Sequence, residues 1–160
     1  MSGKDGLHGM ANWVTQGQPP DQSAKSDTML LSVPVSVGEV VDKLTILEIK
    51  SARISDPDKL QNIAAELDAL RPLVSGGVFD GEEVALLTDA LRTVNGQLWD
   101  IEDNIRAEEA AGRFGDRFIE LARAVYVTND RRAELKKKIN LATGSALVEE
   151  KSYEDYASKG

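Results

Sequence analysis

Apolar residues in the second half of the chain fall into one unbroken seam. Val84, Leu87, Leu91, Val94, Leu98, Ile101 and Ile105 recur at alternating spacings of three and four, which draws a single apolar face on an α-helix. A face of that length has to be covered by other helices. Beside it, at steps of four, three and four, run Asn95, Trp99, Glu102 and Arg106, a bordering strip of polar and aromatic groups. Asp80 and Glu83 carry capping-box spacing at the start of this helix, which is predicted to reach about Ala111 before a tight connection flanked by Gly112 and Gly115. A further helix is predicted from Asp116 to about Asn140, with Gly144 beyond its end. Its apolar face, Phe118, Leu121, Ala122 and Val125, continues at the same period into Asn129, Arg132 and Lys136. Val127-Thr128-Asn129-Asp130 is poor in helix propensity, so a kink or break is expected there.

Two helices precede the long seam. Ser36 and Glu39 form a capping box and Val35 and Val40 a staple spacing, which places a helix start at Ser36. Val40, Val41, Leu44, Leu47 and Ile54 share its broad apolar face. Ile46 and Ile49 lie near the polar side, which suggests cover on two sides, by a partner chain or by the N-terminal segment. Glu48 projects between Val37, Val41 and Leu44, where a carboxylate needs a cationic or hydrogen-bonding partner. Asp56-Pro57 then starts a shorter helix with Leu60, Ile63, Leu67 and Leu70 on one side, ending before Pro72. Residues 72–81, with Gly76, Gly77 and Gly81, read as a loop. Residues 1–29 read as a disordered tail, 30–144 as the helical domain and 145–160 as an extended or flexible tail. Leu30, Leu31, Val33 and Val35, with Pro34 between, suggest a short extended segment that packs on the domain without joining a sheet.

The expected fold is therefore all-α, an antiparallel bundle of four main helices with a long C-terminal hairpin and the first two helices packed across it. With the hairpin turn near residues 113 and 114, Asn129 comes level with Trp99 and Arg132 with Asn95. Glu48 would be the next wall. The candidate ligand-binding set is Glu48, Asn95, Trp99, Glu102, Arg106, Asn129 and Arg132. Two readings stand. Either Glu48 and Glu102 neutralise Arg132 and Arg106 in an internal network, or Trp99 offers a stacking surface in an open cleft where Arg106, Arg132 and Asn129 hold a small anionic or hydroxylated ligand. A magnesium site from Glu48, Glu102 and Asp103 is disfavoured, because only one acidic cluster, Asp100 to Asp103, is present.

Composition narrows the chemistry. Only 5% of the 160 residues are aromatic, which with few strand-like runs agrees with helices. Against 19 basic residues stand 27 acidic ones, and a net charge of −8 argues against nucleic acid and against anionic membranes. The run Lys136-Lys137-Lys138 reads as a solvated face. There is no cysteine, and the one histidine, His8, sits in the N-terminal tail, so thiolate, disulfide and histidine chemistry are off the menu. No membrane span, signal sequence, phosphate loop or nucleophile elbow is evident, so a cytoplasmic protein without metal or cofactor is expected.

The segments GEVVDKLTILEIKSARI (38–54), LWDIEDNIR (98–106), FIELARAVYVTND (118–130) and INLATGSALVEEKSY (139–153) together resemble a family of uncharacterised bacterial proteins, a domain of unknown function. The resemblance implies a small soluble helical protein and carries no catalytic role to any residue. The favoured reading is a non-enzymatic binding or interaction module that associates with itself or another protein through Ile46 and Ile49. The runner-up is an enzyme or binder acting on a phosphorylated or sugar-like small molecule at the Trp99 strip.

Overall fold

The computed structural model describes residues 29–152, and the readings of 1–28 and 153–160 lie outside the described residues. Four helices make up the fold, α1 (Val37–Arg53), α2 (Pro57–Leu70), α3 (Glu82–Ala110) and α4 (Asp116–Thr143). No strand occurs among the described residues. Met29 to Val33 are in neither helix nor strand, and Met29, Leu30, Leu31 and Val33 are exposed.

The starts of α1 and α2 have a side-chain cause. Ser36 Oγ accepts from the Glu39 amide at 3.3 Å, half of the expected box; the Glu39 carboxylate instead turns outward to Lys136. Val35 stays exposed, so the staple spacing buries little there. Asp56 caps α2 by accepting from the amides of Asp58 and Lys59 at 3.0 and 3.2 Å, with Pro57 in the first turn. The box expected at Asp80 and Glu83 does not form. Asp80 ends a 3₁₀ turn, and Gly81 stands at the cap position of α3 without a side-chain bond. The 72–81 loop is two 3₁₀ turns, Arg71–Val74 and Gly77–Asp80, joined through Gly76 and Gly77 at φ 78° and 60°. Only glycine takes two such values in a row without strain.

The break expected near Val127 is absent, because α4 runs unbroken to Thr143 and closes on Gly144 in the left-handed region. Propensity is a weak prior that tertiary cover overrides. That cover is one core cluster of Val41 from α1, Leu91, Val94 and Leu98 from α3, and Leu135 and Ile139 from α4. Near the turn, Ile105 of α3 shares a wall with Phe118 of α4. At the other end Leu91 clusters with Ile139, so the two long helices run antiparallel. A second cluster joins Leu44 and Leu47 of α1 to Ile63 and Leu67 of α2. α1 thus lies between hairpin and α2, which explains its broad apolar face. The second helix packs on α1 rather than directly across the hairpin.

One contact sets the distance between α1 and α4. A Cβ on Gly38 would stand 2.5 Å from the Lys136 carbonyl oxygen, so only glycine allows this approach. The Gly38 amide donates to Asn140 Oδ1 at 2.6 Å and the Val37 amide to Ser145 Oγ at 3.1 Å, so two free amides at the start of α1 are satisfied, one from the end of α4 and one from the residue after Gly144.

Candidate functional site

α3 is ~43 Å long and α1 only ~25 Å, at ~1.5 Å per residue. The first helix ends where Arg53 reaches Asp100 and stands over the Trp99 ring, its Cζ 5.8 Å from the centroid. Below that level three helices enclose a polar centre, while beyond it the hairpin has only itself. No residue from Trp99 to Glu120 is buried.

The polar centre is built on Asp42, whose side chain is 2% exposed. Arg132 grips it with two parallel bonds, Nε donating to Oδ1 at 2.9 Å and Nη2 to Oδ2. Asn95 donates one amide hydrogen to Asp42 Oδ1 at 2.8 Å and the other to Thr45 Oγ1 at 2.9 Å. The Thr45 hydroxyl donates to the Asp42 carbonyl at 2.8 Å. Every group is satisfied, and among the described residues no buried side-chain nitrogen or oxygen lacks a partner. The Asp42 bonds hold Arg132 above the ordinary arginine value, burial pulling the other way. Arg132 with Asn95 was legible in the sequence; Asp42 and Thr45 were not singled out. Their signal was present, since both fall on the α1 flank that faces Asn95.

An open groove of about 380 Å³ runs past this centre and brings together Asn95, Trp99, Glu102, Arg106 and Arg132 from the candidate set, with Ile46 and Lys50 as its α1 wall. Three of its five charged side chains are already engaged, while Lys50 and Asp103 have no salt bridge among the described residues. Glu102 pairs with Arg106 one turn on at 3.2 Å, Arg132 is spent on Asp42, and the Trp99 ring has Arg53 over it. Asn129 lies to one side, donating to the Val125 carbonyl at 3.0 Å and accepting from Arg132 at 3.5 Å.

Glu48 does not join this groove. It accepts from Arg92 Nε at 3.0 Å and lines a different cleft, because its half-exposed carboxylate swings to the α3 flank nearer the start of that helix. Arg132 therefore takes Asp42 and not Glu48. The trio considered for magnesium, Glu48, Glu102 and Asp103, is accordingly not assembled, and no group of three metal-binding side chains occurs among the described residues. Lys136 is not a solvated face either. It is 9% exposed at its side chain and bridges Glu39 of α1 to Glu149 at 2.8 Å. Burial pulls its pKa down, but the bonds to Glu149 and Glu39 outweigh that and raise it. Lys137 pairs with Glu150 at 3.0 Å, so the segment after Gly144 is strapped back onto α4 at Glu149 and Glu150.

No described helix is long and apolar enough to cross a membrane. No curated protein and no solved structure matches the chain. A family model does, over residues 31–159, which takes in all four helices and the strap. By that match the chain belongs to the family of unknown function DUF6165.

Proposed function

We propose that this protein is an interaction module whose first partner is a second copy of itself, seated on the outer face of α4. The supporting observation is an apolar stripe in solvent. Ile119, Tyr126 and Val127 lie seven and eight residues apart, hence on one helix face, and are 53%, 40% and 47% exposed. Large apolar residues exposed repeatedly on one helix face are the kind of surface from which contact sites are built. The interior polar groups, by contrast, satisfy one another, and the Trp99 groove offers a ligand few unengaged charges.

The charge pattern favours a copy of the same chain. Arg123 stands one turn before the Tyr126–Val127 pair and Asp130 one turn after it. Two α4 helices packed antiparallel about a two-fold axis between Tyr126 and Val127 set each Arg123 opposite the other copy's Asp130, a self-complementary arrangement. Such pairing also adds cover to the distal hairpin, where nothing is buried between Trp99 and Glu120. Two single-helix faces ~30 Å long and ~10 Å wide would bury roughly 300 Å² per copy, below the usual area of a stable interface, so the dimer is expected to be weak and reversible.

Sedimentation velocity over a concentration series tests this. Wild-type protein should shift from monomer to dimer, and Tyr126→Glu with Val127→Glu should stay monomeric with an unchanged helical spectrum. A wild-type chain that remains monomeric throughout, or a doubly substituted chain that still dimerises, removes this face from the account. If nucleotides or sugar phosphates raised the melting temperature and Arg132→Met abolished the rise, the Trp99 groove would be the functional surface instead.

A further inference from the structure

A second cleft, of about 470 Å³, lies between α1, the two 3₁₀ turns and the first half of α3. Of the candidate residues only Glu48 belongs to it. Its walls are mainly apolar, with Val41 and Leu44 from α1, Val74 and Phe79 from the 3₁₀ turns, and Val84 from α3. Four charged side chains complete them, and three of these form one group. Arg92 donates from Nε to Glu48 and from Nη1 to Asp89, which fixes the guanidinium between two carboxylates. The fourth is Arg71, on the first 3₁₀ turn, which has no acidic partner among the described residues.

We propose that this cleft binds a small organic monocarboxylate with an apolar body, its carboxylate held by Arg71. A volume in the range of ~300–1,000 Å³, an apolar lining and a few placed polar groups are the ordinary features of a small-molecule site. Arginine's planar fork matches a carboxylate with two parallel bonds, and the apolar walls take the body of the ligand out of water. The remaining charges select against a phosphate. Glu48, Asp89 and Arg92 together carry one net negative charge, so a second charge on the ligand head meets repulsion that a monoanion avoids. Gly76 and Gly77, both at positive φ, turn the chain between the two 3₁₀ segments so that Val74 and Phe79 line the same space as Arg71.

Octanoate is the probe, with octanol, octyl phosphate and acetate as comparison arms, read by calorimetry and by the amide resonances of Phe79 and Thr88. Octanoate should bind saturably and shift both resonances. Octanol, acetate and octyl phosphate should each bind more weakly, for want of charge, for want of apolar body and for excess of charge. Arg71→Gln should weaken octanoate roughly tenfold or more, as expected for a charge-assisted bond, and Arg71→Lys should recover part of the loss. Lys50→Gln, in the other groove, should leave binding unchanged. Arg71 is exposed, so the variant keeps the fold, and the helical spectrum checks this. Absence of saturable binding, equal binding of octanol, or undiminished binding by Arg71→Gln overturns the assignment. Failure of α4 pairing leaves these outcomes untouched, since the cleft contains no residue of α4.

Discussion

Replacing Arg132 by Met isolates the role of the buried charge pair. The methionine fills much of the same volume, but Asp42 is left with its carboxylate 2% exposed and only Asn95 donating to it from a side chain. Breaking a buried pair from one side costs about 3–5 kcal/mol, because the remaining charge stays desolvated. Exposed pairs contribute ~0.2–1 kcal/mol, so the same experiment at Glu102–Arg106, whose side chains are 45% and 76% exposed, should give far less. For a helical domain of this size the Arg132→Met loss corresponds to roughly 10–20 °C in melting temperature. Urea unfolding followed by circular dichroism gives the free energy. The cycle is completed by Asp42→Asn alone and by Asp42→Asn with Arg132→Met, in which the asparagine still accepts from Asn95 while no charge is buried. The double variant should be more stable than Arg132→Met alone, with a coupling energy of about 2 kcal/mol or more. A loss below ~1 kcal/mol for Arg132→Met, within the range of an exposed pair, would refute the view that this pair is the closed centre of the bundle.

Three further outcomes follow from particular contacts. Alanine is ordinarily better than glycine inside a helix by ~1 kcal/mol, and Gly96→Ala should show that gain because nothing stands within 4 Å of its added Cβ. Gly38→Ala should instead lose about 1–3 kcal/mol, since the Cβ would meet the Lys136 carbonyl oxygen at 2.5 Å; chemical unfolding of both variants reads the opposite signs. The C-terminal strap should respond to acid. The Lys136 bond holds the Glu149 carboxyl below its ordinary value, so docking is stabilised above the ordinary glutamate range and lost as pH falls through the lowered value. The raised pKa of Lys136 keeps its contribution intact below the ordinary lysine value and loses it only as pH rises through the raised one. The side-chain carboxyl carbon resonance of Glu149 should therefore titrate below the ordinary glutamate range, and Lys136→Met should return that titration to the ordinary range. A Glu149 carboxyl that titrates in the ordinary glutamate range in the unsubstituted chain would count against the strap.

Much of the architecture was legible because periodicity reports burial directly. The seam from Val84 onward is the buried side of α3, and the hairpin registry brought Arg132 level with Asn95, both of which converge on Asp42. What failed were inferences that depend on which neighbour arrives. Helical projection set Glu48 among valines and leucines, but a long side chain reaches solvent and Arg92 from that position, whereas Asp42, too short to escape, is the carboxylate that is buried. Lys136 reads as one of three solvated lysines until Glu39 and Glu149 close on it from α1 and the strap, a contact that joins residues 97 apart in sequence. The weak helix formers after Tyr126 suggested a break that packing of Leu135 and Ile139 overrides. The cleft beside Arg71 had no signature, since its walls come from three separate stretches and two 3₁₀ turns that have no apolar period.

The pairing of α4 with its copy is tested most directly by distances between spin labels in the full chain. The sequence has no cysteine, so one introduced cysteine labels one site. For an antiparallel two-fold contact centred between Tyr126 and Val127, labels at Ile119 of the two copies are offset by ~22 Å along the helix axis, fifteen residues at ~1.5 Å each, while labels at position 123 are offset by about half as much. Dipolar spectroscopy at concentrations where sedimentation shows dimer should return a clearly shorter distance for Arg123→Cys than for Ile119→Cys. Equal distances at the two sites, or no dipolar coupling at either, would contradict the proposed assembly.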